Sequence, residues 1–193
     1  MPNFEPIQFT LFKDLTELSL AYNERVDDSW LEMLLSTCKN SLMMLSLRGC
    51  QRITSEGFVH LQHFTKLKSL DLHNTKLKSE DFLALLASLS EVVSLDLSYC
   101  ELTMLDIDEE DSQEAEQFSN VFGYSEISSF QSLRALILDH TPISDAGVKF
   151  VLKFVPNIEF LSLFMCPNIS KQFVKSLQAE HPKLTLKWCK TRV

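Results

Sequence analysis

This chain of 193 residues predicts an α/β fold: a right-handed solenoid shaped as a horseshoe, with a parallel sheet on the concave side and helices on the convex side. Three observations predict it. An LxxLxL pattern recurs along the chain and ends on Asn, Cys or Thr. Its copies start 27, 25, 25, 41 and 25 residues apart, at Leu15, Leu42, Leu67, Val92, Leu133 and Ile158. After each complete copy comes a short stretch with helix-start chemistry and helical apolar spacing. A period of roughly 20–50 residues marks stacked supersecondary units, none of which can bury its apolar side alone.

The strands come first in each unit. Leu15, Leu18 and Leu20 lead to Asn23, and Leu42, Leu45 and Leu47 lead to Cys50. Leu67, Leu70 and Leu72 lead to Thr75, and Val92, Leu95 and Leu97 to Cys100. Leu133, Leu136 and Leu138 lead to Thr141, and Ile158, Leu161 and Leu163 to Cys166. A truncated last copy reads Leu184, Leu186 and Cys189. Alternation along a strand sends the leucines inward and the residues between them outward. The Asn/Cys/Thr column can donate to carbonyls left open by the turn, so Cys50, Cys100, Cys166 and Cys189 read as one buried, inert column.

The helices follow. Ile53-Thr54-Ser55-Glu56-Gly57-Phe58, Leu77-Lys78-Ser79-Glu80-Asp81-Phe82 and Ile143-Ser144-Asp145-Ala146-Gly147-Val148 place Ser, Thr or Asp where free N–H groups need a cap. The acids just after suit the positive end of the helix dipole. Phe58, Leu61 and Phe64, then Phe82, Leu85, Leu86 and Leu89, then Val148, Val151 and Leu152, then Phe173, Val174 and Leu177 supply the inward helix faces.

The whole chain, 1–193, reads as a single domain: an N-terminal cap over 1–14, repeats over 15–100, an acidic insertion over 101–132, and repeats with a C-terminal cap over 133–193. Phe4, Ile7, Phe9, Leu11 and Phe12 would cover the first repeat. Leu184-Thr185-Leu186-Lys187-Trp188 is a last strand whose lysine blunts the open edge. The 41-residue spacing is one repeat plus an acidic insertion from Asp106 to Glu126, with few core-forming residues in its first half and Phe118, Val121, Phe122 and Tyr124 in its second, which could dock back on the array. Such a segment is either a solvated loop or a recognition element for a basic partner.

The pattern LxxLxLxxN/C is the leucine-rich repeat signature. The chain resembles the cysteine-containing leucine-rich repeats in the arrays of F-box proteins, which read roughly LxxLxLxxCxxITDxGL. Cys50-Gln51-Arg52-Ile53-Thr54-Ser55-Glu56-Gly57-Phe58 is the closest copy, and Thr141 to Val148 is the next, with Thr for Cys. Cys38 matches a second cysteine often found at the end of the helix. The resemblance covers about residues 15–190. It implies substrate recognition or adaptor work in ubiquitin-ligase-like assemblies, although no F-box motif precedes the repeats. A regulator or assembly factor of one enzyme or complex, a microbial effector included, is the alternative.

Charge narrows the partners. The net charge is −8, yet nine acids and no Lys or Arg lie between Glu101 and Glu126, and the remainder holds 17 acids against 18 bases. No basic stripe exists for nucleic acid. No apolar run reaches the roughly 18–20 residues of a membrane helix, and the N-terminus lacks a basic n-region. An odd set of five cysteines without a CxxC pair suits a reducing compartment, cytoplasmic or nuclear. The expected partner is a protein, bound by a monomer without cofactor or metal.

Function should lie on the outward strand positions. The first column reads Glu17, Met44, Ser69, Ser94, Ala135, Phe160 and Lys183; the middle one Ser19, Ser46, Asp71, Asp96, Ile137, Ser162 and Thr185; the third Ala21, Arg48, His73, Ser98, Asp139, Phe164 and Lys187. Ile137, Phe160 and Phe164, with Met165 close by, form an apolar group expected to face solvent. Asp71 and Asp96 fall on neighbouring strands about 4.8 Å apart, with Arg48 and His73 near enough to offset their repulsion. Arg48, Asp71, His73, Asp96, Ile137, Asp139, Phe160, Phe164 and Met165 are therefore the candidate partner-binding residues. A metal between Asp71 and Asp96, or a hydrolase using them with His73, is the chemical alternative.

Overall fold

The computed structural model describes residues 12–103 and 131–189. Most of the expected N-terminal cap and of the acidic insertion, including Phe118, Val121, Phe122 and Tyr124, lies outside the described residues, as does the side chain of Leu86.

Seven strands form one parallel sheet in sequence order. They are β1 (Glu17–Ser19), β2 (Met44–Ser46), β3 (Ser69–Asp71), β4 (Ser94–Asp96), β5 (Ala135–Ile137), β6 (Phe160–Phe164) and β7 (Thr185–Cys189). Helices α1 (Asp28–Cys38), α2 (Ser55–Leu61), α3 (Ser79–Ser88), α4 (Asp145–Leu152) and α5 (Lys171–Glu180) follow β1, β2, β3, β5 and β6. The register aligns Leu18, Leu45, Leu70, Leu95, Leu136, Leu161 and Leu186 across the sheet. The second inward column, Leu47, Leu72, Leu97, Leu138 and Leu163, is fully buried. Helix residues Phe58, Leu61, Phe82, Leu85, Val148, Val151, Phe173, Val174 and Leu177 close the other side of one continuous core. Each such leucine contributes roughly 1.5–3 kcal/mol by burial.

The polar column works as its residue types suggest. The thiols of Cys50, Cys100 and Cys166 donate to the carbonyls of Leu20, Leu72 and Leu138 at 3.2, 3.2 and 3.0 Å, each in the preceding repeat. The Thr75 and Thr141 hydroxyls donate to Leu72 and Leu138 of their own repeat at 2.8 and 2.7 Å. Two carbonyls thus receive both a threonine and a cysteine, tying layers together. Burial pushes the Cys100 thiol up to about 11 and raises those of Cys38, Cys50 and Cys166, so all four stay protonated and unreactive. Asn23 differs: its side chain accepts from the Arg25 N–H at 3.0 Å instead.

On the convex side, the Thr54, Ser144 and Ser170 side chains cap their helices by accepting from Glu56, Gly147 and Phe173 N–H groups. The third helix is capped differently. Its N-cap is Lys78, whose N–H donates to Asp81 at 3.1 Å. Two of the early helical acids reach beyond their own helix. Asp28 accepts from the Thr54 N–H and hydroxyl at 2.8 and 2.7 Å, and Asp145 accepts from the Ser170 N–H at 2.9 Å. Gly57 leaves Asp28 this room, since a Cβ there would lie 2.1 Å from its Oδ1.

The last repeat departs from the expected register. Thr185, Lys187 and Cys189 pair with Phe160, Ser162 and Phe164. The outward columns therefore end on Thr185, Lys187 and Cys189 instead of Lys183, Thr185 and Lys187. Trp188, opposite Leu163, takes the inward position, and Cys189 is exposed, outside the buried cysteine column. Alternation explains the shift. The strand starts two residues later, after a turn closed by Leu184 N–H to the His181 carbonyl at 3.0 Å, and a period of two sends Leu186 and Trp188 inward together.

Candidate functional site

Between the third outward column and the buried polar column, every complete repeat turns through a left-handed residue. Tyr22, Gly49, Asn74, Tyr99, His140 and Met165 have φ of 57, 68, 52, 62, 58 and 59°. The cause is hydrogen-bond continuity. The N–H groups of Gly49, Asn74, Tyr99 and His140 extend the sheet ladder to the carbonyls of His73, Ser98, Asp139 and Phe164 at 2.8, 2.7, 2.9 and 2.9 Å. Turning the chain there without losing the bond requires φ > 0, which glycine and asparagine tolerate best. The side chains at this position project along one rim of the concave face. Tyr22, 64% exposed, lies over Gly49, where a Cβ would come within 2.5 Å of its ring.

Along this rim the rings form a ladder. His73 meets Tyr99 at 5.1 Å, Tyr99 stacks on His140 at 4.3 Å and 12°, and His140 meets the Phe164 edge at 5.9 Å. The Lys187 ammonium caps it, 4.9 Å over the Phe164 ring. Tyr99 is 47% exposed.

Below the ladder lies a charged network. Arg48 spans both candidate acids, with Nε 3.0 Å from Asp71 Oδ2 and a terminal nitrogen 3.2 Å from Asp96 Oδ2. Asp71 also accepts from the Ser46 hydroxyl at 3.1 Å and the His73 N–H at 3.0 Å. Asp96 accepts from the Ser98 N–H at 2.9 Å and hydroxyl at 2.6 Å. One strand pair over, Asp139 accepts from the Ser162 hydroxyl, from the Phe164 N–H at 2.9 Å and from Lys187 at 3.3 Å. Burial works against the Arg48 charge, but the Asp71 hydrogen bond and the two carboxylates outweigh it and raise its pKa. Burial and then the Arg48 charge hold the His73 imidazole below its ordinary value, against the pull of Asp96 and Asp71. His73 thus meets Asp71 through its backbone, while its ring belongs to the ladder.

Arg48, His73, Asp96, Ser98, Tyr99, Ile137, Asp139, His140, Phe160, Ser162 and Lys187 line one open depression of about 350 Å³. The structure therefore brings Arg48, His73, Asp96, Ile137, Asp139 and Phe160 together, with Asp71 and Phe164 alongside. The apolar group is not laid bare as expected. Ile137, Phe160, Phe164 and Met165 are each half-buried, because Phe164 sits beneath Lys187 and against His140, and Met165 has left the strand for the left-handed turn. Among the described residues the exposed aromatics are Phe12, Tyr22 and Tyr99, and the two tyrosines stand at the left-handed turn, which the two-residue alternation of a strand does not reach. Gly49 and Asn74, recurring just before the Cys/Thr column, are the trace of that turn in the sequence. Among the described residues, no group of three or more His, Cys, Asp or Glu side chains is placed to hold a metal ion.

Comparison with known proteins agrees with this geometry. The pattern of the Leucine Rich repeat family matches residues 131–152, the unit that contains β5 and α4. The fold is that of a leucine-rich repeat solenoid. It is similar to F-box/LRR-repeat protein 4 of Bos taurus, 24% identical over 157 residues. That match covers 81% of this chain but only 23% of the relative. Among solved structures, it is similar to a chain of the Rad7 and Elc1 complex in yeast, at 17% identity and a TM-score of 0.51. That match covers 85% of this chain and 45% of the other. This chain spans less than half the length of either.

Proposed function

We propose that this leucine-rich repeat array is a non-enzymatic interaction module that grips a protein partner on its concave face. The observation that carries the reading is the depression under the His73–Tyr99–His140–Phe164 ladder, where exposed and half-exposed rings, two apolar side chains and a pinned charge network converge on one open surface. Rigid aromatics with an arginine beside them are the composition in which binding energy concentrates. Arg48 supports the reading against hydrolysis. It already engages both Asp71 and Asp96, the pair that a water-activating site would need. The similarity to F-box/LRR-repeat protein 4 supports adaptor or substrate-recognition work in ubiquitin-ligase-like assemblies, within the cytoplasm or nucleus. Its protonated, buried cysteines suit a reducing compartment. Among the described residues, no helix is long and apolar enough to cross a membrane.

Affinity capture with mass spectrometry tests this. Tyr99→Ser and Ile137→Ser should lose the partners held by the unmodified chain, and Val59→Ser on the convex helix α2 should keep them. Equal recovery by all of these proteins would remove the concave face from the reading.

A further inference from the structure

The concave depression holds more carboxylate than cation. Among the described residues, Asp71, Asp96 and Asp139 pair with two cations, Arg48 and Lys187, which leaves one more carboxylate than cation in this network. The surplus is placed where donors are few. Oδ1 of Asp96 takes the Ser98 N–H and hydroxyl, and Oδ1 of Asp139 takes the Phe164 N–H and the Ser162 hydroxyl. Among the described residues, Oδ2 of each accepts from a single cationic nitrogen, of Arg48 and of Lys187. A carboxylate offers about four acceptor sites, so both Oδ2 atoms keep capacity for a further donor. Tyr99 and His140 line the same depression, with their rings stacked 4.3 Å apart.

One cation already shows how this wall treats positive charge. Lys187 stands 4.9 Å over the Phe164 ring and 3.3 Å from Asp139, although its side chain is 54% exposed. A carboxylate and an aromatic face together hold an ammonium that water could otherwise claim.

We propose that the depression receives an arginine side chain from an extended segment of the protein partner. The proposal rests on the concave-face reading and names what that face recognises. A guanidinium is planar, so it can lie on the ring ladder while its fork donates to carboxylates. Its charge balances the surplus, whereas an incoming carboxylate would meet three of its own kind. At about 350 Å³ the depression is near the lower end of the roughly 300–1,000 Å³ of ligand pockets, a size for one long side chain.

The test is an NMR titration of the full chain with N-acetyl-arginine amide and with its uncharged isostere N-acetyl-citrulline amide, following the ring signals of His73, Tyr99 and His140. The arginine probe should produce saturable shifts, and the citrulline probe should bind at least about tenfold more weakly. Asp139→Asn should weaken arginine binding by about tenfold, and Lys187→Gln should tighten it by about threefold by removing the internal competitor. Lys187 is on the surface, so the second variant decides the matter even if the first does not fold. Equal response to both probes, silent rings, or a Lys187→Gln protein no tighter than the original overturns the proposal. Silent rings with partner capture still dependent on Tyr99 and Ile137 would leave the concave-face reading standing. Ring shifts without that dependence would overturn the reading instead.

Discussion

On the inner side of the sheet, Leu45, Leu70, Leu95, Leu136 and Leu161 stand in register and are buried alike. On the outer side of the same strands, their neighbours run Met44, Ser69, Ser94, Ala135 and Phe160, with no one chemistry common to all five. The two sides differ in what constrains them. An inward residue must fill the space left by the repeats above and below, so each layer dictates the next. An outward residue answers to solvent or to a partner, and there, among the described residues, the Arg48 bridge between Asp71 and Asp96, the Tyr99–His140 stack and the Lys187–Asp139 pair each occur once. Repetition builds the scaffold, and the departures from repetition carry the specificity.

The contrast is broken most severely from the inside. Leu72→Ala, in the middle of the stack, should cost about 2–5 kcal/mol, read as a lower urea midpoint. Ser69→Ala on the outer face should stay within about 0.5 kcal/mol. A small effect of Leu72→Ala would mean that the layers do not lock one another.

Next comes Arg48→Met, which leaves Asp71 and Asp96 facing each other without their shared cation. Since these side chains are 34%, 25% and 16% exposed, screening limits the loss to about 1 kcal/mol. Added salt should recover part of it if repulsion between the acids is the cause.

A smaller effect follows from His73. Its pKa in the folded chain lies below the ordinary 6.5 because burial, then Arg48, disfavours its charge. The unfolded chain then binds more protons as the pH falls through 6.5, so the stability His73 allows is present above that value and fades below it. His73→Gln should flatten the pH dependence of the urea midpoint between about pH 7.5 and 5.5. An unchanged slope would show that the imidazole is as easily charged folded as unfolded.

The cysteines sharpen the comparison with almost no cost in stability. Cys189 should react with a thiol reagent in the native protein, whereas Cys38, Cys50, Cys100 and Cys166 should react only on unfolding. Cys189→Ser should abolish the native reaction. A silent Cys189 would restore it to the buried column and undo the register of β7.

The inner side was legible because it repeats. The leucine columns, the Cys/Thr column and the caps at Thr54 and Ser144 recur at the same place in their units, and local chemistry dictates each one. The first six strands fall where the spacing puts them. β7 does not: Leu186 and Trp188, instead of Leu184 and Leu186, stand opposite Leu161 and Leu163. Of the outer side, the residues of the Arg48–Asp71–Asp96 cluster could be placed from alternation alone, but not the geometry of their bonds. Lys187 falls beside Phe164 in the expected columns, but in a register two residues off, and Tyr99 on His140 lies outside every column.

The sequence by itself determined that the chain coils into stacked strand–helix units with one leucine spine, because each unit exposes an apolar side that only another unit can cover. The tertiary structure alone decided which outward groups meet. That depends on a left-handed residue in each turn and a two-residue offset in the last strand, and both are set by hydrogen bonds between repeats.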